Sequence, residues 1–337
     1  MNIGIIGFGY WGTNLVRNFA NLKNVNVKMV VDTRKERQDA LLKLCPVAAF
    51  SVSADDILND PEIDAVVIAT PVFTHFDLAL KALQNNKHVL IEKPMVSNTD
   101  QANKLIELAD KKSKVLMVDH TFLYTGAVQK MKSLIDSGDI GNIKYFDSTR
   151  INLGLFQPDV NVLWDLAPHD ISILNYLVDE KPYSVNANGV SHTNNGIENI
   201  AYINVNYDSG FIAHFSCSWS SPVKIRMMLI GGDKKMIVFN DIEPTEKIKV
   251  YDTGYDHKTD EDKKKVLVDY RTGDIYTPKL DPKEALSGMA ADFVSAVING
   301  HKPISDFDSG LEVIKILEAS QESIKNSGRE VLIKKNN

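Results

Sequence analysis

Two cysteines, Cys45 and Cys217, are all that 337 residues contain. Two distant thiols make neither a disulfide framework nor a cluster with metal-ligand spacing, so no disulfide-stapled fold and no metal is expected. No apolar run approaches the roughly 20 residues of a membrane span. The amino terminus lacks a charged n-region, an apolar h-region and a cleavage site. A cytoplasmic protein without membrane attachment is expected. Positive charge is in deficit: 38 Lys and Arg against 44 Asp and Glu leave a net charge of −6. That gives no electrostatic case for nucleic acid or an anionic surface as partner. Internal repeats and low-complexity linkers are also missing. What remains, 44% hydrophobic and 24% charged, is ordinary for a globular protein. The length exceeds what one core usually serves and predicts about two domains.

The first twelve residues are the richest. Ile3, Ile5 and Ile6 read as a buried parallel strand, and Gly7, Gly9 and Gly12 supply G-x-G-x-x-G where it should turn into a helix. Gly7 permits the tight turn, Gly9 lets a pyrophosphate approach the backbone, and Gly12 lets helix and strand pack closely. The diphosphate would sit on the helix N-terminus. A second apolar strand ends in Asp32, at the spacing of about 20 residues expected for a carboxylate on an adenosine ribose. Phe8, Tyr10 and Trp11 flank the glycines, and Thr33 and Arg34 follow the acid; all are candidate cofactor contacts. Asp32 can accept from a ribose 2′-hydroxyl and would repel a 2′-phosphate, so NAD is expected. Arg34, Lys35 and Arg37 keep NADP open as the second choice.

Up to about residue 120, short apolar strands (Ile3–Ile6, Val27–Val31, Ala65–Ala69, His88–Ile91, Val115–Val118) alternate with helical stretches such as Phe76–Asn85 and Asp100–Lys111. This predicts an α/β fold whose N-terminal Rossmann domain, residues 1–120, is a doubly wound parallel sheet. Ligands of such sheets bind at the carboxyl ends of the strands. Residues 121–337 read as a second, substrate-binding and oligomerising α/β domain. It has helices at Val128–Ser137 and from Leu166, and long alternating strands joined by turns such as Asp208–Gly210. Its sheet should be large, open and mostly antiparallel. Apolar side chains on both faces would call for a second cover, hence a homo-oligomer, dimer or tetramer. The segment Tyr251–Lys265 is charged and reads as a loop or ribbon. Two helices, Ala285–Asn299 and Ser309–Asn326, close the chain.

Three further groups bear chemistry. Thr70 and Pro71 follow the third strand and could line the cofactor, and His75, also a candidate cofactor contact, could open the next helix. Glu92 and Lys93 leave the fourth strand at the ligand edge, where a lysine could donate to a substrate hydroxyl or relay a proton. Asp165 and His169 stand four residues apart at a helix start, with Asp165 suited to the N-cap. Near neutral pH a histidine can accept a hydroxyl proton. Each also has a plain structural reading: a turn, a solvated Glu–Lys pair, a helix cap.

Taken together, Gly-Phe-Gly-Tyr-Trp-Gly12, Thr70-Pro71 with His75, Lys87-His-Val-Leu-Ile-Glu-Lys-Pro94 and Asp165-x-x-x-His169 resemble the glucose–fructose oxidoreductase/inositol dehydrogenase/MocA (Gfo/Idh/MocA) family. The resemblance covers essentially the whole chain. It implies a Rossmann domain followed by an open-sheet domain, and oxidation or reduction of a secondary alcohol on a sugar, sugar nucleotide or cyclitol with NAD(P). It makes Lys93 the catalytic lysine, Asp165 the active-site acid and His169 the histidine. The stretch Arg150–His169 looks like the branch containing nucleotide-sugar 3-dehydrogenases of surface-polysaccharide pathways. There Arg150 could fork onto a phosphate or sugar carboxylate, and Asn152, Gln157 and Asn161 could meet sugar hydroxyls. The expected activity is thus NAD-dependent oxidation of a sugar hydroxyl, with a cyclitol or free-sugar dehydrogenase, or a non-catalytic dinucleotide-binding regulator, as alternatives.

Overall fold

The computed structural model describes residues 1–154, 156–157, 160–193, 196–256 and 269–333. The chain divides into two compact units, Met1–Thr125 with Lys283–Ile314, and Gly126–Pro282 with Lys315–Asn337. The first unit therefore takes back a C-terminal segment that the linear division at residue 120 assigns to the second domain.

In the first unit, strands β1 (Asn2–Ile6), β2 (Asn26–Val31), β3 (Ala49–Ser51), β4 (Ala65–Ile68), β5 (His88–Glu92) and β6 (Leu116–Asp119) form a parallel sheet. Its order is β3-β2-β1-β4-β5-β6. The chain reverses direction across the sheet between β1 and β4, so a ligand crevice opens at their carboxyl ends. The edge strand β3 is an addition to the sequence reading: three residues, Ala49, Phe50 and Ser51, are too short to show a period. Helices α1 (Tyr10–Ala20), α2 (Gln38–Leu44), α3 (Asp55–Leu58), α4 (His75–Gln84) and α5 (Thr99–Lys112) intervene.

Strand residues that point alternately up and down build two cores. One holds Ile3, Ile5, Leu15, Phe19 and Val30; the other holds Ile6, Ile68, Leu83, Val89 and Leu105. After α6 (Gly126–Asp136) and α7 (Val162–Leu177) of the second unit comes α8 (Ala285–Asn299), which contributes Met289 and Phe293 to the first of these cores. Phe293 meets Phe19 of α1 edge to face, with ring centroids 6.2 Å apart. Arg17 on α1 pairs with Glu284 just before α8. The last helix, α9 (Phe307–Lys325), crosses the division between the units at Ile314.

The second unit is a nine-stranded sheet. Its strands are β7 (Ile143–Leu153), β8 (Pro182–Val190), β9 (Ile200–Tyr207), β10 (Ile212–Ser218), β11 (Ser220–Gly232), β12 (Met236–Asn240), β13 (Ile248–Asp256), β14 (Asp269–Tyr276) and β15 (Val331–Leu332). The order is β14-β13-β12-β11-β7-β10-β9-β8-β15, antiparallel except for β7 beside β10. Gly210, at φ +83°, makes the predicted turn between β9 and β10. Tyr251–Asp256, read as loop or ribbon, is strand; residues 257–265 of that segment lie outside the described residues. Ile203, Val205, Tyr207, Ala213 and Phe215 are buried on one face. The opposite face of β9 and β10 is mixed: Tyr202 and Ile212 are exposed beside Asn204, Asn206, His214 and Ser216. Tyr207 belongs to the core and Tyr202 to the opposite face. Among the described residues, no helix is long and apolar enough to cross a membrane.

Candidate active site

β1 delivers the chain to Gly7 at φ +99°, which glycine adopts without a Cβ penalty. A Cβ on Gly7 would lie 2.3 Å from the Ala69 carbonyl oxygen, and one on Gly12 would lie 2.0 Å from the Gly7 carbonyl oxygen. Backbone packing demands both glycines. Gly9 differs, since a Cβ there would meet only Arg34 Nη2, at 3.9 Å. The space over Gly9 is open, and no side chain caps α1. The N–H groups of the first turn are therefore available to an anion, and a diphosphate fits this cradle. Tyr10 and Trp11 stand exposed beside it, their rings in an edge contact at 5.2 Å. The Phe8 ring is buried, and its N–H donates to Asp32.

Asp32, at the end of β2, is 6% exposed. Its Oδ2 accepts from Phe8 N at 2.8 Å and Arg34 Nη2 at 2.9 Å, and its Oδ1 accepts from Arg34 N and Nε at 2.9 Å. The Arg34 side chain, with burial opposing it, holds the carboxyl down at about 2. About four lone-pair sites exist on a carboxylate, and four internal donors occupy them. A ribose hydroxyl must displace one, and the half-exposed Arg34 side chain is the movable donor. Thr33 is exposed beside it.

Thr70 and Pro71 follow β4, and the Thr70 hydroxyl lies 2.6 Å from that of Thr74. His75 departs from the cofactor role expected of it. Its ring is 1% exposed and lies between the carbonyl oxygens of Thr70 (Nε2, 2.8 Å) and Pro94 (Nδ1, 3.1 Å). Burial pushes its pKa down. A neutral imidazole donates to only one of these two carbonyl oxygens; the His75 ring packs between the loop after β4 and the Lys93–Pro94 turn and presents no surface to a ligand.

Glu92 ends β5 and Asp119 ends β6, directly opposite one another in parallel register. Both are buried, as is His120; Lys93 is half-buried. The Lys93 N–H donates to Glu92 Oε2 at 3.1 Å, and the Thr121 hydroxyl donates to Asp119 Oδ1. Burial and the neighbouring Asp119 push Glu92 well above the ordinary carboxylate range. Burial pushes Asp119 up as well, against the hydrogen bonds from Thr121 and Glu92. Burial and then the charge of Lys93 push His120 down to about 3, so its ring is neutral. Asp119 and His120 were missed by the sequence reading. Their signal was position alone: they leave β6 where Glu92 and Lys93 leave β5.

In the second unit, α7 starts earlier than expected. Asn161 is its N-cap, accepting from Trp164 N at 3.1 Å, and Asp165 sits inside the first turn rather than capping it. Freed from capping, the Asp165 carboxylate accepts from the Trp219 indole N–H at 3.1 Å. Trp219 is buried between β10 and β11 and packs on Phe156, ring centroids 5.5 Å apart. His169 lies one turn after Asp165, and both are half-buried. Residues four apart share a helix face.

Arg150 is the main revision. It is 3% exposed, and its Nε and Nη2 donate to Asp170 Oδ1, whose other oxygen accepts from Ser148. This buried pair fastens α7 to β7 and leaves no exposed guanidinium fork for a substrate. Asn161 is likewise buried, giving its amide to Glu198 and Gln321. Asn152 and Gln157 remain half-buried; Leu155, Pro158 and Asp159 of the same stretch lie outside the described residues. Among the described residues, no group of acids, histidines and cysteines could hold a metal ion.

A doubly wound dinucleotide cradle with a lysine at its ligand edge, and an acid–histidine pair on one helix of an open-sheet unit, define a class: nicotinamide-dependent oxidoreductases. A model described as "Oxidoreductase family, NAD-binding Rossmann fold" matches residues 1–120, and the "GFO/IDH/MocA C-terminal domain" matches residues 128–238. Together they span more than half of the chain. The protein belongs to the Gfo/Idh/MocA family of oxidoreductases.

Two curated relatives are similar to this chain. The chain is 32% identical over 194 residues to UDP-N-acetylglucosamine 3-dehydrogenase of Acidithiobacillus ferrooxidans, covering 57% of this chain and 58% of the relative. It is 26% identical over 250 residues to scyllo-inositol 2-dehydrogenase (NAD(+)) of Bacillus subtilis, covering 71% and 72%. Among solved structures, levoglucosan dehydrogenase in complex with NADH and levoglucosan superposes with a TM-score of 0.84 at 21% identity, covering 99% of this chain and all of that one. That likeness is one of fold.

Proposed function

We propose that this protein is an NAD-dependent dehydrogenase that oxidises a secondary hydroxyl of a nucleotide-linked sugar at C3. The observation that carries the dehydrogenase reading is the retention of three proton-handling side chains, Lys93 at the end of β5 and Asp165 with His169 on one face of α7. A regulator that only bound a dinucleotide would have no use for all three. The chemistry supplied by bound NAD⁺ would be that of a hydride acceptor for the carbinol carbon. Gly9 and the first turn of α1 would hold its diphosphate, and Asp32 its adenosine ribose. His169 is assigned the hydroxyl proton, because a neutral imidazole accepts a proton near pH 7. Lys93 polarises the alcohol oxygen, and Asp165 orients the histidine side of the reaction.

The substrate assignment rests on the UDP-N-acetylglucosamine 3-dehydrogenase relative. Buried Arg150 gives it no support. A cyclitol is the second reading, favoured by the longer alignment with scyllo-inositol 2-dehydrogenase. The test is incubation with NAD⁺ and UDP-N-acetylglucosamine, its uronic acid, free hexoses or myo-inositol, reading NADH formation and a keto-sugar by mass spectrometry. A nucleotide sugar should react. Turnover of inositol or a free hexose, with none of any nucleotide sugar, would replace the first reading by the second.

A further inference from the structure

We propose that Glu92 and Asp119 share a single proton and so present one negative charge, not two, to the Lys93 amine. The pair is a positioning device for Lys93, and only its use in turnover rests on the dehydrogenase reading above.

The argument starts from register. Parallel pairing sets Glu92 opposite Asp119 at the ends of β5 and β6, and the two carboxyl groups lie within hydrogen-bonding reach of each other. They are 8% and 3% exposed. Two anionic carboxylates in contact, withdrawn from water, repel strongly, and the standard outcome is one proton held between them. The surrounding donors do not remove the need for it. Lys93 N–H serves Glu92 Oε2, and the Thr121 hydroxyl serves Asp119 Oδ1. Asp119 Oδ2 receives no N–H or hydroxyl donor and is wholly buried. An acceptor left bare in that way loses its hydration with nothing in return. A proton between the two carboxyl groups supplies the missing donor. The other charged group acting on the pair is Lys93, whose positive charge acts on both acids; His120, next to Asp119 in the chain, has a neutral ring. One positive and one negative charge then balance at the ligand edge of the sheet. With both acids ionised the site would carry a surplus negative charge in a dry environment.

Infrared spectroscopy of the cofactor-free protein tests this without reference to turnover. At pH 7 we expect a protonated-carboxyl C=O band that shifts on exchange into D₂O and moves on ¹³C labelling of aspartate or glutamate. In Glu92→Gln and in Asp119→Asn the remaining carboxyl, alone with Lys93, ionises, and the band disappears at that pH. Absence of the band in the wild type, or its persistence in both variants, overturns the proposal. Should a variant not fold, the labelled wild type decides by itself, since a band that neither label moves belongs elsewhere. A protein that shows the band but oxidises no sugar would sink the proposed function and leave the shared proton standing.

Discussion

The indole N–H of Trp219 donates to Asp165 Oδ2 at 3.1 Å, and both the ring and its contact with Phe156 lie within the open-sheet unit. Trp219→Phe keeps most of the buried ring and removes the donor. A hydrogen bond to a charged group contributes about 1.5–3 kcal/mol. If Asp165 must be held for the reaction, kcat should fall by roughly 10–100-fold with little change in the cofactor KM. Equal losses in kcat and thermal stability, with rate restored at low temperature, would make the contact merely structural.

Lys93→Ala should abolish most turnover while NAD⁺ still binds, because the dinucleotide cradle is built from β1, α1 and Asp32. A loss of about 10² or more fits a positioned polarising group. Stopped-flow hydride transfer with a verified substrate reads it, and near wild-type rates would remove Lys93 from the chemistry.

His169→Asn should flatten the acidic limb of the pH–rate profile for oxidation. Protonated imidazole cannot accept the hydroxyl proton, so the wild type loses rate as pH falls. An unchanged profile would transfer the base role to Lys93.

Asp32 carries both cofactor choice and acid stability. In the folded protein the Arg34 side chain holds its carboxyl at about 2, below the ordinary carboxylate range. Such a depressed carboxyl adds stability that is present above the unfolded value and is lost as pH falls through the folded one. Asp32→Asn should therefore cost on the order of 1–2 kcal/mol at pH 7, less than the full shift implies because Arg34 is half-exposed, and the deficit should vanish below about pH 2. The same variant frees Arg34 for a 2′-phosphate and should move the NADPH-to-NADH affinity ratio upward by about tenfold, one hydrogen-bonded charge's worth. Calorimetric titration of both cofactors checks this.

Much of the first unit was legible because the relevant signals are local. An apolar strand, three spaced glycines and an acid at the end of the next strand are all read within one βαβ segment, and Gly7 and Gly12 are held there by backbone clashes that no other residue avoids. The start of α7 was less legible. Asn161 and Asp165 are both good cap residues one turn apart, and only the third dimension shows that the indole of Trp219, far along the chain, claims the second. Arg150 read as a ligand-facing charge, since a buried ion pair with Asp170 needs two elements to meet and no sequence period records that. His75 misled for a similar reason: a histidine after Thr-Pro could face a ligand or two carbonyls, and burial chose the carbonyls. The amphipathic pattern of α8 announced a helix with a covered face without saying that Phe19 was the cover.

The return of residues 283–314 to the first unit has a consequence for the nascent chain. The cofactor-binding unit is complete in sequence only after strands β7 to β14 of the intervening sheet have been made. At about 5–20 residues per second, synthesis of the span from Gly126 to Ile314 takes on the order of 10–40 s. During that interval the surface of α1 destined for Phe293 is uncovered, and the ribosome-bound intermediate should be a chaperone client in a way that the finished protein is not.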